Sequence, residues 1–149
     1  GGTLLATISD RDKEEAAALV KGFVDLGYMV YATQGTSDFL TGKGVANLKV
    51  NKIRDGGVTV LDLVRQNRVD LLINTLSKHR PAEEREGARI RRASVENNTP
   101  CITSLDTAKA VLQALSAREE GHAAVCRTIS DYLKDSGGAH LAGAVKEEG

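Results

Sequence analysis

The chain has 149 residues, 41% apolar and 27% charged, which is the balance of one ordinary soluble domain with a real core. Twenty lysines and arginines offset twenty aspartates and glutamates, so no basic field argues for nucleic acid or an anionic membrane. Aromatic content of 3% with no Trp speaks against stacking platforms for single strands, and there is no run of eighteen apolar residues.

Taken in chain order, Thr3 to Ile8 reads as a short buried strand. Residues 12 to 26 read as a helix, capped by Asp10 or Asp12, with Leu19, Val20, Phe23, Val24 and Leu26 at helical spacing and Gly27 as its stop. Tyr28 to Ala32 is a second strand, followed by a short helix from Ser37 to about Thr41, closed by Gly42 or Gly44. Val45 to Val50 is a weaker third strand, residues 53 to 57 a loop, and Val58 to Asn67 a helix. Val69 to Ile73 is the clearest strand. Lys78 to Glu86 reads as a charged loop of nine residues, and a helix runs from about Ala88 to Asn97, ended by Thr99-Pro100. Cys101 to Thr103 is a fifth strand and Thr107 to Arg118 the next helix. Residues 1–118 are therefore expected to form the domain, 119–134 an extra helix, and 135–149 a disordered tail. The start at Gly1-Gly2, without Met, suggests a piece excised from a longer chain, and its first residues do not read as a signal peptide.

This strand–helix alternation predicts a three-layer α/β/α, Rossmann-like domain with a five-stranded parallel sheet. Right-handed crossovers then gather the strand-to-helix loops on one edge, where ligands bind. Five polar stretches fall at that edge: Ser9 to Lys13, Thr33 to Thr36, Asn51-Lys52, Asn74-Thr75 and Thr103-Ser104. Thr33-Gln-Gly-Thr36 is the strongest local signal, since a strand ends, Gly35 permits a tight turn, and a helix opens with free N–H groups flanked by hydroxyls. Gly35 is expected to turn the backbone toward an anion, and a β-branched residue there would be costly if its φ is positive. The plainer alternative is a helix cap made by Thr36 or Ser37. Lys13 and Lys52 can reach the same cradle, and Asn74 and Thr75 suit a sugar or base. Arg89, Arg91 and Arg92 form a basic cluster that reads first as a solvated or salt-bridged face; Arg91 and Arg92 point about 100° apart, so the alternative is one paired with a carboxylate and the other with a ligand or neighbouring domain. His79, His122 and His140 share no metal-like spacing, and Cys101 and Cys126 lack C-x-x-C spacing, which predicts no metal, reduced thiols and a cytoplasmic setting.

The segments Asp12-Lys13-Glu14, Ala32-Thr-Gln-Gly-Thr36, Val50-Asn-Lys52, Ile73-Asn-Thr75 and Ile90-Arg-Arg92 resemble the methylglyoxal-synthase-like domain. More narrowly, from about Leu4 to Leu115 the chain looks like the C-terminal regulatory domain of the carbamoyl-phosphate synthetase large chain. The resemblance implies a regulatory module without catalysis of its own, which binds UMP as an inhibitor and in some members IMP as an activator. Lys13, Thr33, Thr36 and Lys52 would then hold the phosphate, with Asn74 and Thr75 near the ribose or base. Asp10, Asn51, Ser77 and Thr103 are secondary candidates at the same edge. ATP and Mg would belong to the parent ligase, and the implied partners are the remaining synthetase domains and the glutaminase small chain. A methylglyoxal-type lyase acting on dihydroxyacetone phosphate is the competing class. Asp10 matches one of that family's aspartates, but its Gly-Asp and Trp-Asp-Pro carboxylates fall on Gly57 and Ser77. A purine-pathway cyclohydrolase ranks lower, because its lysine-rich segment after the third strand is missing. A family tyrosine near the fifth strand falls on Cys101.

Overall fold

In the computed structural model the residues described are 2–76 and 80–121. β1 (Thr3–Thr7) leads through a 3-10 turn (Asp10–Asp12) into α1 (Lys13–Asp25). β2 (Met29–Thr33) leads into α2 (Gln34–Gly42), and β3 (Leu48–Val50) through a second 3-10 turn (Ile53–Asp55) into α3 (Val60–Arg65). β4 (Leu71–Asn74) precedes α4 (Pro81–Glu96), and β5 (Cys101–Ile102) precedes α5 (Leu105–Gly121).

All five strands are parallel, in the order β3-β2-β1-β4-β5. The register sets Ala6 beside Ala32 and Thr7 beside Asn74, so β1, β2 and β4 end together. After β3 the chain returns to lay β4 against β1, which puts the switch of winding direction between β1 and β4. Two apolar layers cover the sheet. Phe23, Val20 and Ala16 of α1, Leu40 of α2 and Val111 of α5 pack on one face, and Leu63, Val64, Ile90 and Ala93 of α3 and α4 on the other. The expected three-layer α/β/α architecture is present.

Several expected boundaries shift for local reasons. α1 begins at Lys13 because Asp10–Asp12 coil as a separate 3-10 turn, and neither Asp10 nor Asp12 caps it: the Asp12 carboxylate accepts from Ser9 Oγ at 2.7 Å instead. Gly27, at φ +94°, stops this helix as expected. α2 starts at Gln34, three residues earlier than Ser37, so the Thr-Gln-Gly-Thr segment is the first helical turn. α3 is shorter than expected, because the Asp62 carboxylate accepts from Thr59 N–H at 2.9 Å and fixes Thr59 outside the helix. The largest correction is at α4. Pro81 to Glu86, expected as loop, is its first turn and a half, with Pro at the opening position and Glu83 and Glu84 in the first turn. The expected helix over 119–134 coincides with α5 as far as Gly121; its remainder and the expected tail at 135–149 lie outside the described residues. Among the described residues no helix is long and apolar enough to cross a membrane. Cys101 is a free, fully buried thiol whose pKa burial pushes up to about 11, which keeps it protonated and unreactive at neutral pH; Cys126 lies outside the described residues.

Candidate functional site

A cavity of about 340 Å³ opens at the C-terminal edge of the sheet, over the switch between β1 and β4. That is within the range of small-ligand pockets. Its floor comes from the strand ends: Thr7 of β1 with Ile8 and Ser9 after it, Thr33 of β2, and Asn74 of β4 with Thr75 after it.

One end of the cavity is the N-terminus of α2. Thr33 is the N-cap residue, with extended φ and ψ, yet its side chain makes no cap hydrogen bond. Thr36 and Ser37 do not cap either. The Thr36 hydroxyl accepts from Ile8 N–H at 3.0 Å and donates back to Ile8 C=O at 3.4 Å, and Ser37 Oγ donates to Asn47 Oδ1. The first-turn N–H groups of α2 thus turn their partial positive charge toward the cavity, and among the described residues no side chain caps them. The Lys13 ammonium lies over the same turn: a Cβ built on Gly35 would stand 3.2 Å from Lys13 Nζ. Gly35 is helical, not at positive φ, so no turn calls for glycine there, and its lack of a side chain leaves the Lys13 ammonium its place over the helix turn. A valine at this position would displace the Lys13 ammonium and would not strain the backbone, which corrects the backbone-turn expectation.

Lys13 is only 15% exposed and pairs with Asp10 Oδ1 at 2.5 Å, while Arg80 bonds Asp10 Oδ2 at 2.8 Å and Glu83 at 3.2 Å. The chain Lys13–Asp10–Arg80–Glu83 ties the loop after β1 to the start of α4. The Asp10 carboxyl is held below its ordinary 3.8, first by the Lys13 hydrogen bond, next by the charge of that ammonium, and to a smaller extent by the charges of Arg80 and Lys52; slight burial acts in the opposite direction. Lowered in the folded state, Asp10 contributes stability that is present above 3.8 and lost as pH falls from there through its lowered value. We expect carboxyl NMR titration to place Asp10 below 3.8, with Lys13→Ala returning it toward 3.8; a midpoint at or above 3.8 in the wild type would refute the pairing.

A family model described as an MGS-like domain matches residues 15–103, more than half of the chain. The chain belongs to the MGS-like domain family. It is also similar to the crystal structure of ForH, at 19% identity and a TM-score of 0.62 over 97% of this chain and 94% of that one, a likeness that concerns the fold.

In this MGS-like domain, Lys13, Thr33, Gly35, Thr36, Lys52, Asn74 and Thr75 all line the one cavity, as does Asp10. They divide by what their side chains do. Lys13 and Lys52 bring positive charge, with Lys52 near enough to act on Asp10. Thr36 and Thr75 are structural: Thr75 Oγ1 accepts from Ser9 N–H at 2.8 Å and donates to Ser9 Oγ at 3.3 Å, so both threonines fix the chain as it leaves β1. Asn51 is not brought into the cavity. Its Nδ2 donates to Gly56 C=O at 3.0 Å, and it pairs with Thr59 across an isolated bridge. Thr103, past the end of β5, does not line the cavity, and Ser77 lies outside the described residues. Sequence reasoning did not assign Glu83, Glu84, Glu86 and Gly87 of α4, which form the opposite wall with Arg91. The signal was Pro81 followed by Glu83 and Glu84, which marks a helix start.

Proposed function

We propose that this domain is an effector-binding regulatory module of the carbamoyl-phosphate synthetase large-chain type, taking a nucleoside monophosphate such as UMP or IMP. The observation that carries this reading is the Lys13 ammonium set over the uncapped first turn of α2, in a cavity that Lys52 also lines. A phosphate there meets helix N–H groups and two ammonium charges. The glutamate wall of α4 offers acceptors to sugar hydroxyls and repels further phosphates, which favours a monophosphate over a polyphosphate. The cytoplasmic parent enzyme would supply ATP, Mg and the catalytic partners, and the effector would act through its different affinities for two states of that enzyme.

Turnover is disfavoured by the carboxylates. Asp10, bound by Lys13 and Arg80 with its pKa lowered, is a weaker base than an ordinary carboxylate. The other two family carboxylate positions are Gly57 and Ser77. We expect the purified chain to release no methylglyoxal from dihydroxyacetone phosphate above the uncatalysed background. Release that disappears in Asp10→Asn would overturn the regulatory reading in favour of a lyase.

A further inference from the structure

Asn74 occupies the end of β4 where a base or sugar would be read, but its amide is already committed. Nδ2 donates to Thr7 Oγ1 at 2.5 Å, and Oδ1 accepts from Arg91 Nη1 at 2.6 Å. Because a guanidinium can only donate, the amide is fixed with its oxygen toward Arg91. Asn74 is 5% exposed and has little left to offer a ligand.

Arg91 does. The bond to Asn74 uses one of five N–H donors on a side chain that lines the cavity. The guanidinium lies back along α4 over Gly87, one turn earlier. A Cβ built on Gly87 would stand 3.0 Å from Arg91 Nη1 and 3.4 Å from Asn74 Oδ1, so glycine leaves the space in which this pair forms. The pair belongs to the β4 side of the cavity, whereas Lys13 and the α2 terminus belong to the β2 side. With β1 between them, and about 4.8 Å per strand, the ends of β2 and β4 are roughly 10 Å apart, a span that a sugar can bridge.

We propose that Arg91 is the specificity-determining residue of the cavity. Its planar fork, anchored by Asn74 in the space left by Gly87, receives the acceptor edge of a nucleobase carbonyl while the phosphate sits at α2. This inference deepens the nucleoside-monophosphate reading and rests on it.

The test is calorimetric titration of wild type, Arg91→Gln and Gly87→Ala with UMP and with ribose 5-phosphate, which lacks the base. Arg91→Gln keeps an amide donor for Asn74, and in Gly87→Ala the gain of a better helix former offsets part of the cost of moving Arg91 off Asn74, so both variants should fold, which a thermal melt run beside each titration checks. UMP affinity should fall about tenfold or more in each variant, as for loss of a charge-assisted hydrogen bond. Ribose 5-phosphate affinity should stay within about twofold of wild type, a change too small for a lost hydrogen bond. Unchanged UMP affinity in the variants, or an equal loss for ribose 5-phosphate, would overturn the assignment of Arg91 alone. Failure of wild type to bind UMP or IMP would overturn the nucleotide reading and this inference with it, whereas a wild type that binds IMP but not UMP is titrated with IMP in place of UMP, with the same losses expected in the variants.

Discussion

Phe23→Ala is expected to destabilise the domain by about 3–5 kcal/mol, the usual cost of emptying a phenylalanine site in a packed core. Phe23 is fully buried on α1 and meets Tyr28 edge-to-face, with ring centroids 5.4 Å apart at 87°. Removing the ring leaves a cavity between α1 and the sheet and takes away an aromatic pair worth about 0.5–1.5 kcal/mol beyond its area. Against a total stability of about 5–15 kcal/mol, this is enough to leave the domain marginal. Urea unfolding followed by circular dichroism measures it. A loss under about 1 kcal/mol would mean that α1 does not close the core as described. The effect reaches the site because α1 carries Lys13 at its first residue.

The double variant Lys13→Ala, Lys52→Ala should lose most nucleotide affinity. Each ammonium–phosphate contact is worth about 1.5–3 kcal/mol, so each single variant should weaken UMP binding by roughly tenfold or more. The two losses need not add, because both lysines act on the same anion and both bear on Asp10. Titration beside a thermal melt separates binding from folding. Wild-type affinity in either single variant would remove that lysine from the site.

The sequence made the architecture and the binding edge legible because both follow from periodicity and chirality. Five apolar runs alternate with amphipathic segments, and right-handed crossovers leave one arrangement of loop ends. The start of α4 was not legible because residues 82 to 86 carry no apolar stripe; that turn faces solvent and the cavity, and core positions begin only at Gly87 and Ile90. Side-chain roles were harder still. Thr36 and Thr75 were expected to serve the ligand, but whether a threonine hydroxyl faces a ligand or its own chain depends on the register that lays β1 against β2 and β4. Gly35 was singled out for its φ, yet its significance is the 3.2 Å to Lys13 Nζ, a tertiary distance. Arg91 could be separated from Arg92 by helical angle, but which one meets the sheet is set by Gly87 and Asn74.

Calorimetric titration of the intact chain with UMP, and in parallel with IMP, tests the central claim most directly. Saturable binding at one site is expected for at least one of the two nucleotides, with most of that affinity lost in the folded Lys13→Ala, Lys52→Ala variant. A folded wild-type chain that binds neither nucleotide, or a double variant that binds as well as wild type, would contradict it.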